Sequence, residues 1–365
     1  MSKYDIIVVG GGPAGTAAAI TAARAGQHVL LLERGRLPRQ KVCGEFVSAE
    51  GVETLRELDP ETAERLLDGA PRIRLARLFV DTQTVAVPVE PEAASITRYA
   101  LDHALWSAAE AAGAECRQEI EAQAVEGEGP YRVTVVTAEG GCPPQELEAT
   151  ALIDASGRWS RLRRGSGTLP QPTGRRRCIG LKAHFATGEL GVTAPPSVDL
   201  YFFEGGYCGV QPVSEGRMNA CAMVRADRAS SLAEVFALHP ALAERSRGWR
   251  AVGEAVATSP LVFERPRPVR DQVLCAGDAA GFVDPFIGDG ITLALRSGRL
   301  AAEAAVRGDV EWYAREYRAR LQPVFGNASW LRWVMDLPRL LRKPIVAAMR
   351  SPGVGRALVR STRAR

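Results

Sequence analysis

Short apolar runs alternate with helix-forming stretches near the N-terminus. Residues 4–10 (YDIIVVG) and 28–33 (HVLLLE) are rich in branched apolar side chains, which predicts two buried parallel strands. The small residues of 14–25 (AGTAAAITAARA) predict a helix between them, and Gly26 stands where such a helix ends. The pattern therefore predicts a β-α-β unit.

The middle of the chain carries a different pattern. Residues 72–89 predict a hairpin that turns at Thr82 and Gln83, and residues 178–225 hold short strand-like stretches between Gly, Pro and Ser turns. These stretches predict a mostly antiparallel meander. From residue 309 onward the chain is predicted to be helical, with breaks at its prolines, which are Pro323, Pro338, Pro344 and Pro352.

A glycine-rich turn joins the first predicted strand to the first predicted helix. Gly10, Gly12 and Gly15 have the G-x-G-x-x-G spacing, which allows a tight turn, close approach of a pyrophosphate and close helix–strand packing. The helix N-terminus then favours the anion. Glu33 ends the second strand, where an acid accepts hydrogen bonds from a ribose. The acid disfavours a 2′-phosphate, so the motif predicts NAD or FAD rather than NADP.

A second loop, residues 275–294 (CAGDAAGFVDPFIGDGITLA), separates these two cofactors. Asp278 follows a predicted strand and can reach ribityl hydroxyls. The turn from Pro285 to Gly290 then directs the N-terminus of the next helix at a negatively charged group, such as the N1/C2=O edge of a reduced flavin. A nicotinamide dehydrogenase needs no such second platform. The loop therefore favours FAD.

Three stretches together resemble the FAD fingerprints of the para-hydroxybenzoate hydroxylase-fold flavoproteins. They are VVGGGPAG with Glu33, DASGRWSRLR (154–163) and GDAAGFVDPFIGDGI (277–291), in the family order. KVCGE (41–45) and GGYCGVQP (205–212) resemble the geranylgeranyl reductase and FixC-type branch, which approaches the flavin-dependent halogenases.

The chain also departs from its neighbours in this group. Aromatic hydroxylases of the fold usually carry a His after G-D-A-A, where this chain has Gly281. The reductase branch typically has aromatic-x-Trp-x-x-Pro, whereas Tyr207 to Pro212 reads YCGVQP and lacks the Trp. The halogenase Trp-x-Trp-x-Ile-Pro pattern is absent too. The resemblance therefore leaves the substrate open.

The resemblance implies an FAD-dependent oxidoreductase that acts on a small lipophilic or aromatic organic molecule. A geranylgeranyl reductase-like reductase or dehydrogenase, with hydride transfer at flavin N5, is favoured. A monooxygenase that forms a C4a-hydroperoxide stays open, with NAD(P)H or a separate flavin reductase as electron donor. A non-catalytic, membrane-associated flavin-binding module is the third alternative, although a mere binder needs no cavity facing N5.

Pattern and resemblance together predict a mixed α/β (α+β) fold. It comprises a Rossmann-like FAD-binding domain, an interleaved β-rich substrate domain and a helical C-terminus. The predicted boundaries are 1–70, 98–165 and 266–308 for the FAD-binding domain, 71–97 and 166–265 for the substrate domain, and 309–365 for the helical region.

Basic residues add to the predicted cofactor site. Arg98 resembles the Arg that lies beside the flavin or its phosphates in this fold. Arg34 and Arg39 flank the second strand, where they pair with phosphate or ribose or serve only as surface residues. The predicted cofactor-binding residues are Gly10, Gly12, Pro13, Ala14, Gly15, Glu33, Arg34, Arg39, Cys43, Arg98, Gly277, Asp278, Pro285, Gly288, Asp289, Gly290 and Ile291.

Four side chains are candidate catalytic residues. By the branch resemblance Cys43 lies close to the isoalloxazine, where a thiol tunes the flavin, touches the substrate or is a small buried hydrophobe. Lys182 and His184 share one face of a strand. They are candidate proton donors if that face lines the cavity, and otherwise they are exposed on the solvent side of the sheet. Tyr207 is expected to line an apolar pocket rather than to act as an acid, although the acid role stays open.

Charge and cysteine content bear on partners and location. Residues 310–365 contain 12 Lys and Arg and 3 Asp and Glu, a net charge of +9, whereas the whole chain has a net charge of +4. The rest of the chain is therefore mildly acidic. The basic tail, with its Trp residues, predicts a lid, an interfacial membrane contact or ordinary packing. It carries no nucleic-acid-binding motif.

The seven cysteines show no C-x-x-C pair and no metal-ligand spacing, so no metal site is predicted. Unpatterned thiols fit a reducing compartment. Without a signal peptide or a spanning apolar run, the sequence predicts a cytoplasmic protein, either free or peripheral to a membrane. The sequence leaves the oligomeric state open.

Overall fold

Two eight-stranded sheets organise the described part of the protein, as a computed structural model shows. The structure describes residues 3–138, 143–160, 162, 177–187, 196–351, 353, 354, 357 and 363. The first sheet carries helices on one face and a β-hairpin on the other, while the second sheet lies beside it. Mixed sheets with a helical C-terminal region confirm the predicted fold class.

The first sheet has a parallel centre. Its strand order is β15-β16-β9-β1-β2-β6, with β8 also paired to β9, and β7 paired to β8. The strands are β1 (Lys3–Val9), β2 (Val29–Glu33), β6 (Glu115–Gln118), β7 (Ile120–Glu126), β8 (Tyr131–Thr137), β9 (Gln145–Asp154), β15 (Val269–Arg270) and β16 (Val273–Cys275). The predicted N-terminal β-α-β unit lies in this sheet and is confirmed.

Both faces of this sheet are covered, which explains its uninterrupted apolar strands. Ile6 and Val8 pack against the helices, whereas Ile7 and Val9 pack against the β7–β8 hairpin. The helices on this side are α1 (Pro13–Arg24), α2 (Ala49–Leu58), α3 (Pro60–Leu67), α4 (Arg98–Ala111) and α7 (Gly290–Arg307). The first residues of α1 and α7 therefore lie near the carboxyl ends of β1 and β16.

The second sheet joins two distant parts of the sequence. Its order is β14-β10-β13-β12-β11-β4-β5-β3. The strands are β3 (Phe46–Val47), β4 (Arg72–Val80), β5 (Gln83–Ser95), β10 (Cys178–Ala186), β11 (Ser197–Phe203), β12 (Gly206–Ser214), β13 (Arg217–Arg225) and β14 (Arg250–Leu261). Two short helices, α5 (Leu232–Ala237) and α6 (Pro240–Arg245), connect β13 to β14.

The predicted antiparallel meander is confirmed for β11, β12 and β13, which pair antiparallel in sequence order, but it is wrong for β10, which pairs with β13 instead of β11. β10 pairs with β13 and β14, while β11 pairs in parallel with β4. Periodicity identifies strands but carries no information on their partners, which long-range packing decides. The hairpin of residues 72–89 is confirmed, with its turn at Asp81 and Thr82, one residue earlier than predicted.

In the described part of the C-terminal region the helices are α8 (Val310–Arg320), α9 (Gln322–Asp336) and α10 (Arg339–Ala348). Pro323 lies in the first turn of α9 and Pro338 precedes α10, as a proline at a helix boundary should. The predicted break at Pro344 is wrong, because this proline lies inside α10. Pro352 lies outside the described residues. Within the described part of the chain, no helix has the length and apolar character needed to cross a bilayer.

Candidate active site

A cavity of about 310 Å³ lies between the two sheets, and we call it the large cavity because it is the larger of two adjoining cavities. Residues from separate parts of the sequence line it together. Of the predicted site residues, those lining it are Gly10, Gly12, Pro13, Ala14, Glu33, Arg34, Arg39, Cys43, Arg98, Tyr207, Gly277, Asp278, Pro285, Gly288, Gly290 and Ile291. Four predicted residues do not line it, namely Gly15, Lys182, His184 and Asp289.

The glycine turn forms one end of the large cavity. A Cβ on Gly15 would clash with the carbonyl oxygen of Gly10, which shows why helix and strand pack so closely there. Gly10 itself has a φ of +111°, a conformation that glycine adopts readily. A Cβ on Gly12 would meet only Arg98, with Nη2 at 3.9 Å, so it would point into the cavity space.

Two helices begin at this cavity without a side-chain cap. The N-cap residues are Gly12 for α1, which has no side chain, and Asp289 for α7, whose side chain makes no cap hydrogen bond. Gly290 lines the cavity, and a Cβ there would meet nothing within 4 Å. Uncapped N-terminal N–H groups are suited to a pyrophosphate at α1 and to a flavin oxygen at α7. The residues present therefore fit FAD.

Glu33 provides a fixed carboxylate where β2 ends at the cavity. One oxygen accepts a hydrogen bond from the Gly11 N–H at 2.8 Å, and the other accepts from Gly35 N–H at 2.9 Å and Arg39 at 2.6 Å. Burial acts to raise the pKa of Glu33, but the charges of Lys41 and Arg39 outweigh it and lower the pKa. The carboxylate is therefore ionised at neutral pH. Its contact with a ribose stays a prediction.

Arg98 is a mostly buried cation beside the glycine turn. Its guanidinium donates to both oxygens of Asp102, at 2.8 and 2.7 Å. Burial acts to lower the pKa of Arg98, and the charge of Asp102 more than offsets this and raises it. Arg98 therefore keeps its charge and its orientation, as a group that contacts a phosphate or flavin requires.

Asp278 lines the cavity where β16 ends. It follows Gly277, whose φ is +59°, and lies 3.7 Å from the Arg158 guanidinium. Desolvation raises the pKa of Asp278, although the charge of Arg158 opposes the shift. Arg158 and Lys41 line the cavity but were not predicted individually. Arg158 lies in the stretch DASGRWSRLR and Lys41 lies in KVCGE, so these two stretches could have identified them. Arg161 and Arg163 of the first stretch lie outside the described residues.

A buried charge cluster supports the wall formed by residues 41–45. The fully buried carboxylate of Glu45 accepts hydrogen bonds from Lys182 at 2.9 Å, His184 at 2.7 Å and the Arg98 N–H at 3.0 Å. Lys182 also donates to Gln40 at 2.5 Å. Burial acts to raise the pKa of Glu45, but the His184 hydrogen bond and the Lys182 charge lower it overall.

Solvent exposure, the alternative for Lys182 and His184, is wrong. Lys182 is only 1% exposed, and the Glu45 loop covers this face of β10. The alternation of side chains along β10 shows which residues share a face, but it could not show that a loop covers that face. Both side chains reach the large cavity only through Glu45, so their role as proton donors stays a prediction.

The loop of Cys43 and Gly44 is held by Asn219. The Asn219 side-chain amide donates to the carbonyl oxygens of both residues, at 3.0 and 2.9 Å. Burial raises the pKa of the Cys43 thiol, although the Arg98 charge opposes it. Cys43 is therefore a neutral thiol at the cavity wall. Asn219 and Glu45 were both missed as supports, because their contacts join residues far apart in sequence.

A second, apolar cavity of about 130 Å³ adjoins the large one. Apolar side chains of β4, β5 and β11, the turn at Phe286 and helix α9 form its walls. The residues shared by both cavities are Gly44, Phe46, Tyr207, Cys221, Pro285 and Gly288. Burial raises the pKa of Tyr207 well above that of an ordinary phenol, so it stays protonated between them. The expectation that Tyr207 lines an apolar pocket is confirmed.

Asp289 lies behind the wall rather than in it. Its fully buried carboxylate accepts a hydrogen bond from the Ser48 hydroxyl at 3.1 Å and lies 3.7 Å from the Arg363 guanidinium. The side chain thus fixes the turn before α7 instead of facing the cavity. Any contact with a cofactor would involve its backbone.

Comparison with known proteins shows which family this chain belongs to. A profile described as FAD dependent oxidoreductase matches residues 5–159. Digeranylgeranylglycerophospholipid reductase 2 of Methanopyrus kandleri is 30% identical, over 89% of this chain and 84% of the relative. Menaquinone reductase of Mycolicibacterium smegmatis is 28% identical, over 96% of this chain and 89% of the relative.

Solved structures share the fold. A geranylgeranyl bacteriochlorophyll reductase-like protein from Thermoplasma acidophilum has a TM-score of 0.77 at 22% identity, covering 99% of this chain and 96% of that one. A flavin-dependent brominase has a TM-score of 0.81 at 20% identity, covering 99% and 93%. With the FAD-compatible cavity and the long match to a reductase, the chain belongs to the FAD-dependent oxidoreductases, in the geranylgeranyl reductase branch.

Proposed function

We propose that this oxidoreductase reduces carbon–carbon double bonds in the isoprenoid chain of a lipid. The observation that carries the proposal is the apolar cavity, which meets the large cavity at six shared residues. An apolar chain lying there would place a double bond beside the flavin ring. The names of the relatives agree, since a digeranylgeranylglycerophospholipid carries isoprenoid chains.

Reduction of such a bond adds a hydride to one carbon and a proton to the other. Reduced FAD, when bound, supplies the hydride. The chain supplies the apolar surface that orients the substrate and excludes water, through residues such as Leu78, Val89 and Leu200. Binding an apolar chain in these walls is favoured by the hydrophobic effect.

The proton must come from a group that holds it in the resting enzyme. Tyr207 lines both cavities, and its raised pKa keeps the phenol protonated. Cys43 lines the large cavity and is also neutral. We infer that Tyr207 delivers the proton, because it alone of the two borders the apolar cavity as well. Tyr207→Phe should then slow turnover with little change in flavin content.

We propose that the electron donor is NADH or NADPH. We also propose that the protein is located in the cytoplasm. The six cysteines that the structure describes carry free thiols, which suits a reducing compartment. Either nicotinamide should bleach the bound flavin under anaerobic conditions. If neither does so, the nicotinamide part of the proposal is wrong, and chemical reduction still allows the substrate to be tested.

The decisive experiment mixes the anaerobically reduced holoenzyme with a geranylgeranyl lipid and, as control, its fully saturated analogue. We expect flavin reoxidation with the unsaturated lipid alone, and a product that gains two hydrogens for each double bond reduced. Mass spectrometry and flavin absorbance provide the readouts. Failure to reduce the lipid would overturn the proposal, and incorporation of oxygen after O2 is admitted would instead support the monooxygenase alternative.

A further inference from the structure

We propose that helices α9 and α10 form a docking surface for an anionic lipid bilayer. Four large apolar side chains on these two helices are exposed, and we call them the apolar patch. They are Trp330 (51% exposed), Trp333 (58%), Leu340 (86%) and Leu341 (59%). Docking is a separate event from the proposed reduction and can be tested without it.

The composition of the patch suits a membrane interface. Trp330 and Trp333 are three residues apart on α9, so they lie on one side of that helix. Tryptophan prefers the boundary between headgroups and acyl chains, where its ring is apolar and its N–H remains hydrated. Elsewhere in the described ranges, exposed large apolar residues such as Tyr99 and Val306 are separated in the sequence.

The patch is held in place rather than left loose. Arg342 on α10 donates to both oxygens of Asp81, at 2.9 and 2.5 Å, and to the Met335 carbonyl oxygen at 2.8 Å. These bonds fix α10 to the turn between β4 and β5 and to the end of α9. The outward position of Leu340 and Leu341 is therefore part of the fold.

Helix α9 connects the patch to the proposed substrate site. Leu331 and Met335 line the apolar cavity, while Trp330 and Trp333 on the same helix face solvent. A helix with side chains is about 10 Å wide. A bilayer resting on the patch would therefore lie about one helix width from the apolar cavity. This short path favours a lipid surface as the occupant.

Charge also selects the bilayer over a second copy of the chain. Residues 310–365 carry 12 basic and 3 acidic side chains, whereas the whole chain has a net charge of only +4. Lys343 on α10 and Arg350 just after this helix are exposed. A basic surface is attracted to anionic headgroups, while two such surfaces repel each other.

The test is flotation of the holoenzyme with vesicles of phosphatidylglycerol and phosphatidylcholine, compared with vesicles of phosphatidylcholine alone. We expect stronger binding to the anionic vesicles, and weaker binding as salt rises. The double variant Trp330→Ser/Trp333→Ser should bind at least about tenfold more weakly. Val306→Ser, which removes an exposed apolar side chain from α7, should bind like the wild type.

Flavin absorbance and circular dichroism confirm that each variant is folded. Unchanged vesicle binding by the double Trp variant, or no binding by the wild type, would overturn the proposal. A wild-type dimer that the same variant dissociates would also overturn it, since a second copy would then cover the patch. The double variant should still reduce detergent-dispersed substrate, so loss of docking is distinguishable from failure of the proposed reaction.

Discussion

The two adjoining cavities are walled in different ways. Backbone N–H groups, glycines and charged side chains dominate the large cavity, whereas the apolar cavity is walled mainly by side chains of one sheet and one helix. The polar wall depends on short motifs at strand ends, and the apolar wall depends on how distant strands pair. Under the proposed function the polar wall would hold the cofactor and the apolar wall would select the substrate, and mutations can test each wall independently.

The largest expected effect comes from removing the carboxylate behind the polar wall. Glu45→Ala leaves Lys182 and His184 buried without their acceptor, which should lower the free energy of unfolding by about 3–5 kcal/mol. Urea denaturation measures it. The matched control is Glu64→Ala, which removes an exposed pair with Arg56 and should cost about 1 kcal/mol or less. Equal losses in both variants would contradict a structural role for the cluster.

A smaller effect is expected at the flavin itself. Asp278→Ala removes the cavity carboxylate at the end of β16, and loss of a hydrogen bond to a charged group costs about 1.5–3 kcal/mol. The Kd for FAD should therefore rise about ten- to hundredfold, as measured by titration of the apoprotein. Asp68→Ala, at an exposed helix end, is the control. An unchanged Kd would show that Asp278 does not contribute to FAD binding.

A change in the apolar wall should affect substrate binding rather than FAD binding. Ala76→Phe adds a ring inside the apolar cavity, which should raise KM for a long-chain substrate by about tenfold and leave FAD content unchanged. Ala86→Phe adds the same ring at an exposed position on β5 and serves as control. Steady-state kinetics and flavin absorbance separate the two effects. A loss of FAD in Ala76→Phe would show that the two cavities do not act independently.

The smallest effect is a pH dependence of the buried cluster. The pKa of Glu45 is lowered in the folded protein, so its stabilisation is fully present above the unfolded pKa of about 4.3 and is lost as pH falls through the folded value. Each unit of difference in pKa is worth about 1.4 kcal/mol. The gap in unfolding free energy between wild type and Glu45→Gln should narrow on acidification. A difference in unfolding free energy that widens on acidification would contradict the lowered pKa of Glu45.

The sequence predicted the polar wall well because its chemistry is local. Gly10, Gly12 and Asp278 line the large cavity because short motifs set both their backbone conformation and their position after a strand. Lys182 was harder, since the alternation along β10 shows which residues share a face but not what covers that face. Only the folded chain brings the Glu45 loop to it.

The apolar wall could not be predicted for a related reason. Its residues come from β4, β5, β11 and α9, and β11 joins β4 through a parallel pairing that no local pattern specifies. Likewise, Pro344 was predicted to break a helix that continues past it. In each case tertiary packing outweighed a correct local preference.

The Glu45 cluster also affects when the protein can mature during synthesis. Glu45 needs Lys182 and His184, which follow it by 137 and 139 residues, and the large cavity also needs Asp278 and Gly290. A nascent chain leaves the ribosome from its N-terminus, so the glycine turn emerges long before the opposite wall. Cofactor capture is therefore a late event, and a chain arrested before α7 should emerge without its flavin.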